Sequence, residues 1–352
     1  MLPASSSVNP RSSAAPLPCE SAGTVAGSSD WQTELNTAIR DPHHLCHVLR
    51  LPTSWANAAV RASRHVPLLV PWSYLSRIRV GDPGDPLLRQ ILPIDEELRE
   101  VRGFTADPVG DTSSKRTAGL LQKYSGRALM ITAGACAVHC RFCFRRHFAY
   151  QEALPADASG EFALAEIAAD TSLEEIVLSG GDPFVLPDDR LAKLLVQLSQ
   201  VPHIKRVRIH TRLPIMIPQR VTGELLDGLS GLRLDPVVVV HCNHPSELDG
   251  HVRTALVSLV ARGILVFNQS VLLRGVNDDF ATLAALSRRL LECRVVPYYL
   301  HQLDRVAGAA HFEVPVERGR QLIRQLRDAL PGYAVPRYVR ENAGEASKTP
   351  LA

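Results

Sequence analysis

The sequence predicts an α/β fold: a partial (β/α)6, TIM-like barrel preceded by a mostly helical N-terminal lobe. Three observations carry this. Beyond Lys123, short apolar or β-branched runs alternate with amphipathic helical runs, the rhythm of parallel βαβ units. Most of the strand runs are near-continuously apolar, as strands covered by crossover helices are. Every strand run also leads into polar residues at its C-terminal end, where a barrel of this type gathers its chemistry.

The elements follow in order. Residues 1–29, rich in Ser, Ala, Pro and Gly, read as a disordered tail without the apolar stretch of a secretory signal. Residues 30–122 form the helical lobe, with "WQTELNTAIRDPHHLCHVL" and "WANAAVRASRHV" broken at Pro42 and Pro52. Residues 123–315 hold six strand runs: "RALMIT" (127–132), "EEIVLSG" (174–180), "RVRIHT" (206–211), "PVVVVHC" (236–242), "ILVFNQSVLL" (264–273) and "RVVPYYL" (294–300). The helical runs between them include "DDRLAKLLVQLSQ", "TGELLDGLSG", "DGHVRTALVSLVARG" and "DFATLAALSRRLLEC". The last segment, 316–352, adds a helix at 317–330 and a short strand, "AVPRYVR".

Composition excludes several classes of function. A formal charge of +3 is too small to argue for nucleic acid, and no apolar run approaches the roughly 18 residues of a membrane span. The seven cysteines are odd in number, and three of them crowd into "GACAVHCRFCFRRHF". A disulfide framework would distribute them in pairs, so the pattern predicts a reducing cytoplasm. Cys242 and Cys293 read as small buried hydrophobes.

Cys136-x3-Cys140-x2-Cys143 places three soft ligands in one loop after the first barrel strand. Zinc wants four ligands, which His139 or His147 would complete as a Cys3His site in a non-catalytic, zinc-stabilised scaffold. An iron–sulfur cube held by three thiolates keeps one iron open for another ligand, and an open iron at a barrel mouth is chemically useful. "LSGGDP" ends the second strand, and its glycines allow close backbone approach.

These words, together with "HTRLPI", "NHPSEL", "NQSVLLRGVND", "YYLHQLD", "GAAHF" and "SKTP", resemble the lysine 2,3-aminomutase family of radical S-adenosylmethionine (SAM) enzymes from about residue 31 onward. The resemblance implies a barrel of the radical SAM type. It also implies a [4Fe–4S] cluster on Cys136, Cys140 and Cys143, with SAM on the open iron against Gly180, Gly181 and Asp182. Pyridoxal 5′-phosphate (PLP) is implied as well, on Lys348 as the catalytic Schiff-base lysine, with Lys123, Tyr124 and Arg127 nearby. A lysine so close to the C-terminus must then fold back to the barrel, so that tail should be ordered. Arg145 matches the family's grip on the substrate carboxylate, a job suited to a guanidinium fork; Arg141 and Arg146 read as structural or solvent-facing.

Two acids, Asp278 and Glu341, are expected to hold the distal ammonium of L-lysine, which is costly to desolvate unpaired. Glu341 stands where the clostridial enzymes have aspartate. A glutamate 2,3-aminomutase, the enzymatic alternative, would not set two carboxylates against its substrate's own. The chain stops at Ala352, soon after "SKTP", and so resembles the short bacterial enzymes that supply (R)-β-lysine for modification of elongation factor P. The implied partners are a small amino acid and an external electron donor, with oligomeric state left open.

Overall fold

The computed structural model describes residues 31–154 and 160–352. The expected N-terminal tail lies outside the described residues. Ten strands form one sheet in sequence order. A hairpin of β1 (Lys115–Thr117) and β2 (Leu120–Tyr124) leads antiparallel into β3 (Arg127–Ala133). Then β4 (Glu175–Gly180), β5 (Arg206–Thr211), β6 (Asp235–His241), β7 (Leu265–Leu272) and β8 (Val296–Gln302) add in parallel. These six parallel strands are the expected barrel units. Beyond them β9 (Arg337–Arg340) continues in parallel and β10 (Thr349–Pro350) returns antiparallel.

The crossover helices cover the outer face. In Asp188–Ser199, Leu191, Leu194, Leu195 and Leu198 recur at helical spacing and are all buried against the sheet. Thr222, Asp249 and Asp279 cap the next helices by accepting backbone N–H groups of Leu225, Val252 and Thr282, each worth about 1 kcal/mol. The expected helix at 317–330 is Val316–Ala329.

Two features differ from the sequence expectation. β5 alternates: Val207, Ile209 and Thr211 are buried, whereas Arg206, Arg208 and His210 on the other face are half-buried. A partial barrel leaves a polar lumen, so its strands need not be apolar on both sides. Second, β1 and most of β2 fall within the segment expected to be helical, and "KYSGR" closes the β2–β3 hairpin at Tyr124–Arg127 with Gly126 at φ +73°. That hairpin puts Lys123 and Tyr124 on the sheet.

The N-terminal lobe shares its core with the barrel: Leu45, Leu49, Tyr74, Leu87 and Ile91 pack in one cluster with Ile176, Val207, Val238 and Leu256. Among the described residues no helix is long and apolar enough to cross a membrane.

Candidate active site

Three barrel features converge at the strand ends, beginning with the loop after β3 that carries the three cysteines. Buried Arg141 fastens it, pairing with Glu97 at 2.8 and 2.6 Å and donating to Val66 O at 2.8 Å. Arg146 also donates to Glu97 and to Gly308 O. Both arginines are therefore structural, as expected. Phe142 is wedged edge-on between His241 and Phe312. Burial, then neighbouring negative groups including the other cysteines, pushes the Cys136 thiol up; burial and Cys140 push Cys143 up to about 11. These thiols need a cationic centre to ionise.

The loop does not present a ready zinc site. His139 Nδ1 is engaged with Pro67 O at 2.8 Å and His147 Nε2 with Ala307 O at 3.0 Å, so each ring has only its other nitrogen to offer a metal. Among the described residues no three His, Cys, Asp or Glu side chains converge on one ion. Thiolates on separate corners of a cube do not share a centre, so the loop fits an iron–sulfur cluster better than a Cys3His site. Cys242 and Cys293 are fully buried elsewhere, as expected of small hydrophobes.

The glycines after β4 have a use the sequence did not reveal. A Cβ at Gly181 would lie 2.1 Å from Ala135 O, and one at Gly180 2.7 Å from Ala133 O, with φ there at +116°. The pair admits the cysteine loop itself, which Gly181 N and Asp182 N bind through Ala133 O and Ala135 O at 2.7 and 2.8 Å. The Asp182 carboxylate is engaged within the fold. That group already accepts from Thr211 Oγ1 (2.6 Å) and from the backbone N–H of Arg212 (2.7 Å), Leu213 (3.0 Å) and Phe184 (3.0 Å). It clamps the ends of β4 and β5 together. Gly181→Ala is expected to displace the loop, with a loss of roughly 1–3 kcal/mol by overpacking and poor iron retention, measured by thermal melting and iron assay.

Across the lumen, side chains join the two sheet edges. Tyr124 on β2 donates its hydroxyl to Glu341, just past β9, at 2.6 Å. Lys348 pairs with the same carboxylate, and Lys123 lies 3.7 Å from it. The tail does fold back: β10 pairs with β9, Leu351 N bonds Tyr338 O at 2.8 Å, and Arg320 donates to Leu351 O at 2.9 Å. Lys123 also bonds Asp111 at 2.6 Å, and Asp111 accepts from Arg145 Nε at 2.6 Å. Arg145 Nη1 reaches Ser179 Oγ at 3.1 Å. Burial opposes the charge on Arg145, but Asp111 beside it holds its proton above the ordinary range.

Arg127 stacks over the Tyr124 ring at 4.7 Å, and its Nε is buried without a partner. His210 Nε2 and His301 Nε2 are likewise orphaned. Burial, with Lys348 nearby, pushes both imidazoles down, His301 to about 3, so both are neutral. Orphaned buried polar atoms beside Lys348, Lys123 and Tyr124 fit an anionic, polar cofactor such as PLP.

Of the expected acids, Glu341 contacts this group directly. Asp278, in the turn after β7, accepts from Gly275 N at 2.9 Å through one carboxylate oxygen, while its carbonyl accepts from Arg318 at 3.2 Å. A further acid, Asp304, lies past the end of β8. Burial and the negative Glu341 raise its carboxyl to about 7, opposed by Lys348 and Lys123. Asp304 stands in "YYLHQLD", whose place at a strand end was the available signal. Asp111, in "PVGD", had no such signal, since it lies far before the barrel.

No protein-family model matches the chain. It is 45% identical over 323 residues to the L-lysine 2,3-aminomutase of Escherichia coli, covering 92% of this chain and 94% of that one. It is 42% identical to that of Haemophilus influenzae over 92% and 96%. The Clostridium subterminale enzyme of the same name is 32% identical over 92% of this chain and 78% of its own. Among solved structures, a radical SAM methyltransferase from Sphaerobacter thermophilus aligns with a TM-score of 0.45 at 23% identity, covering 62% and 68%. With identities of 32–45% to these enzymes over 92% of its length, the chain belongs to the L-lysine 2,3-aminomutase family of radical SAM isomerases.

Proposed function

We propose that this protein converts L-lysine to β-lysine, using a [4Fe–4S] cluster on Cys136, Cys140 and Cys143, SAM, and PLP carried by Lys348. One observation carries the choice of substrate. A lysine ammonium, that of Lys348 itself, already sits on Glu341, and the Asp304 carboxyl feels the charges of both. Two acids facing the lumen suit a substrate bearing a distal ammonium and would repel the side chain of glutamate.

When bound, the cluster and SAM supply a carbon radical for hydrogen abstraction, and PLP supplies a π-system through which nitrogen migrates. The chain's own residues do the rest. Arg145 exchanges part of its contact with Asp111 and Ser179 for the substrate carboxylate, a guanidinium fork being suited to it. Lys348 leaves Glu341 to carry the cofactor, which frees that carboxylate for the substrate ammonium. Tyr124 and Lys123 hold Glu341 in place, and Lys123, Arg127, His210 and His301 supply donors for the cofactor.

The product is placed in the modification of elongation factor P, as the R isomer. The support is the motif set shared with the short bacterial enzymes and the near-full coverage of the Escherichia coli relative. An external one-electron donor is required.

The test is anaerobic turnover of reconstituted protein with SAM, PLP, dithionite and either L-lysine or L-glutamate, with products resolved by chiral derivatisation and mass spectrometry. β-Lysine from lysine alone is expected. β-Glutamate, or no β-amino acid despite an intact cluster, overturns the substrate assignment.

A further inference from the structure

Arg212 follows β5 directly and has no part in the chemistry described so far. Its side chain is buried at the strand ends; both terminal nitrogens are engaged, while Nε is buried without a partner. Nη1 donates to Cys140 Sγ at 2.6 Å; Nη2 donates to Gln90 Oε1 at 2.7 Å and to Glu247 Oε2 at 2.9 Å. The guanidinium plane also lies 5.5 Å from the ring of Phe142, which precedes the last cysteine.

The partners are fixed in turn. Glu247, fully buried, accepts from Gln90 Nε2 (3.1 Å) and from the N–H groups of Asn243 (2.9 Å) and His244 (3.0 Å). Asn243 Nδ2 donates to Gln90 Oε1 at 3.0 Å. The backbone N–H of Arg212 is held by Asp182 at 2.7 Å. The hydrogen bond to sulfur is therefore set by four separate segments of chain: the helical lobe, the end of β4, the start of the loop after β5, and the turn after β6. Such a network allows the guanidinium little freedom to turn elsewhere.

Resting on the reading of Cys136, Cys140 and Cys143 as cluster ligands, we propose that Arg212 and Glu247 are a positioning pair that sets the reduction potential of the cluster through the Cys140 sulfur. A hydrogen bond to a ligand sulfur draws electron density from the iron and favours the reduced, more negative cluster. A buried cation beside the sulfur acts in the same direction, and a buried anion behind it acts in the opposite one. Arg212 therefore raises the potential, and Glu247 sets how far it rises. The pair favours acceptance of the one electron that starts each reaction, and leaves the substrate groups alone.

The opposite signs give the test. Reconstituted holoprotein is titrated to its midpoint potential by electron paramagnetic resonance, without SAM, for wild type, R212Q, E247Q and the double variant, with iron and sulfide measured in each. R212Q is expected to shift the midpoint negative and E247Q to shift it positive, at unchanged iron content. The double variant should lie between the singles. A merely structural role would lower iron content in both without separating the midpoints. If R212Q takes up no iron, E247Q decides: a positive shift supports the inference and an unmoved midpoint overturns it. Equal midpoints with SAM affinity lost only in R212Q overturn it in favour of a SAM-carboxylate contact. Wild type that takes zinc and no iron overturns the cluster reading, and this inference with it.

Discussion

Lys348→Ala is expected to retain the iron and sulfide content of the wild type and to lower β-lysine formation at least about a thousandfold. The side chain is the amine that Glu341 holds at the edge of the lumen, in a tail anchored by the pairing of β10 with β9. Alanine removes the amine without disturbing that pairing, since Thr349 and Pro350 make it through the backbone. Absorbance of the bound cofactor gives a second readout: the band of a lysine-linked PLP should vanish in the variant. Near-normal turnover would remove Lys348 from the mechanism.

Asp304→Asn is expected to raise the KM for lysine roughly a hundredfold, with a smaller effect on kcat. Leaving a buried charge without its partner costs about 3–5 kcal/mol, and Glu341 remains to hold the ammonium, which places the loss at the lower end. Asp278→Asn should change KM less than about twofold, since that side chain stabilises a turn. Equal effects of the two would undo this distinction.

The same acid predicts a pH dependence. In the free protein the Asp304 carboxyl titrates at about 7, because burial and Glu341 disfavour its charge. Below that pH it is protonated and offers lysine no counter-charge, while the substrate ammonium stays charged up to about pH 10. Affinity for lysine should therefore rise as pH increases from 6 to 8, by up to about tenfold per unit below the carboxyl's own pKa. D304N should flatten that profile. For folding the sign is reversed: a carboxyl raised in the folded state stabilises below its unfolded value, and that contribution is lost as pH rises through about 7.

The sequence by itself determined the architecture and the cluster. Six strand runs appear as β3 to β8 with ends within two residues or so of those expected, because alternation of apolar strands and amphipathic helices is a local signal. The three cysteines, Arg145, Glu341 and Lys348 were singled out by motifs that can be read along the chain, and the fold brings Glu341 and Lys348 into contact. Tertiary structure decided the remainder. Asp278 and Asp304 both follow barrel strands, and only the packing shows that one accepts within a turn while the other feels the charges of Glu341 and Lys348. Asp111 is 34 residues from Arg145, and Arg212 is 72 from Cys140; no periodicity links such pairs. The glycines at the end of β4 read as room for close backbone approach, and the backbone opposite them is that of the cysteine loop, which only the fold reveals. Local chemistry is written along the chain, whereas the partner of a buried charge is set by which strand ends the fold brings together.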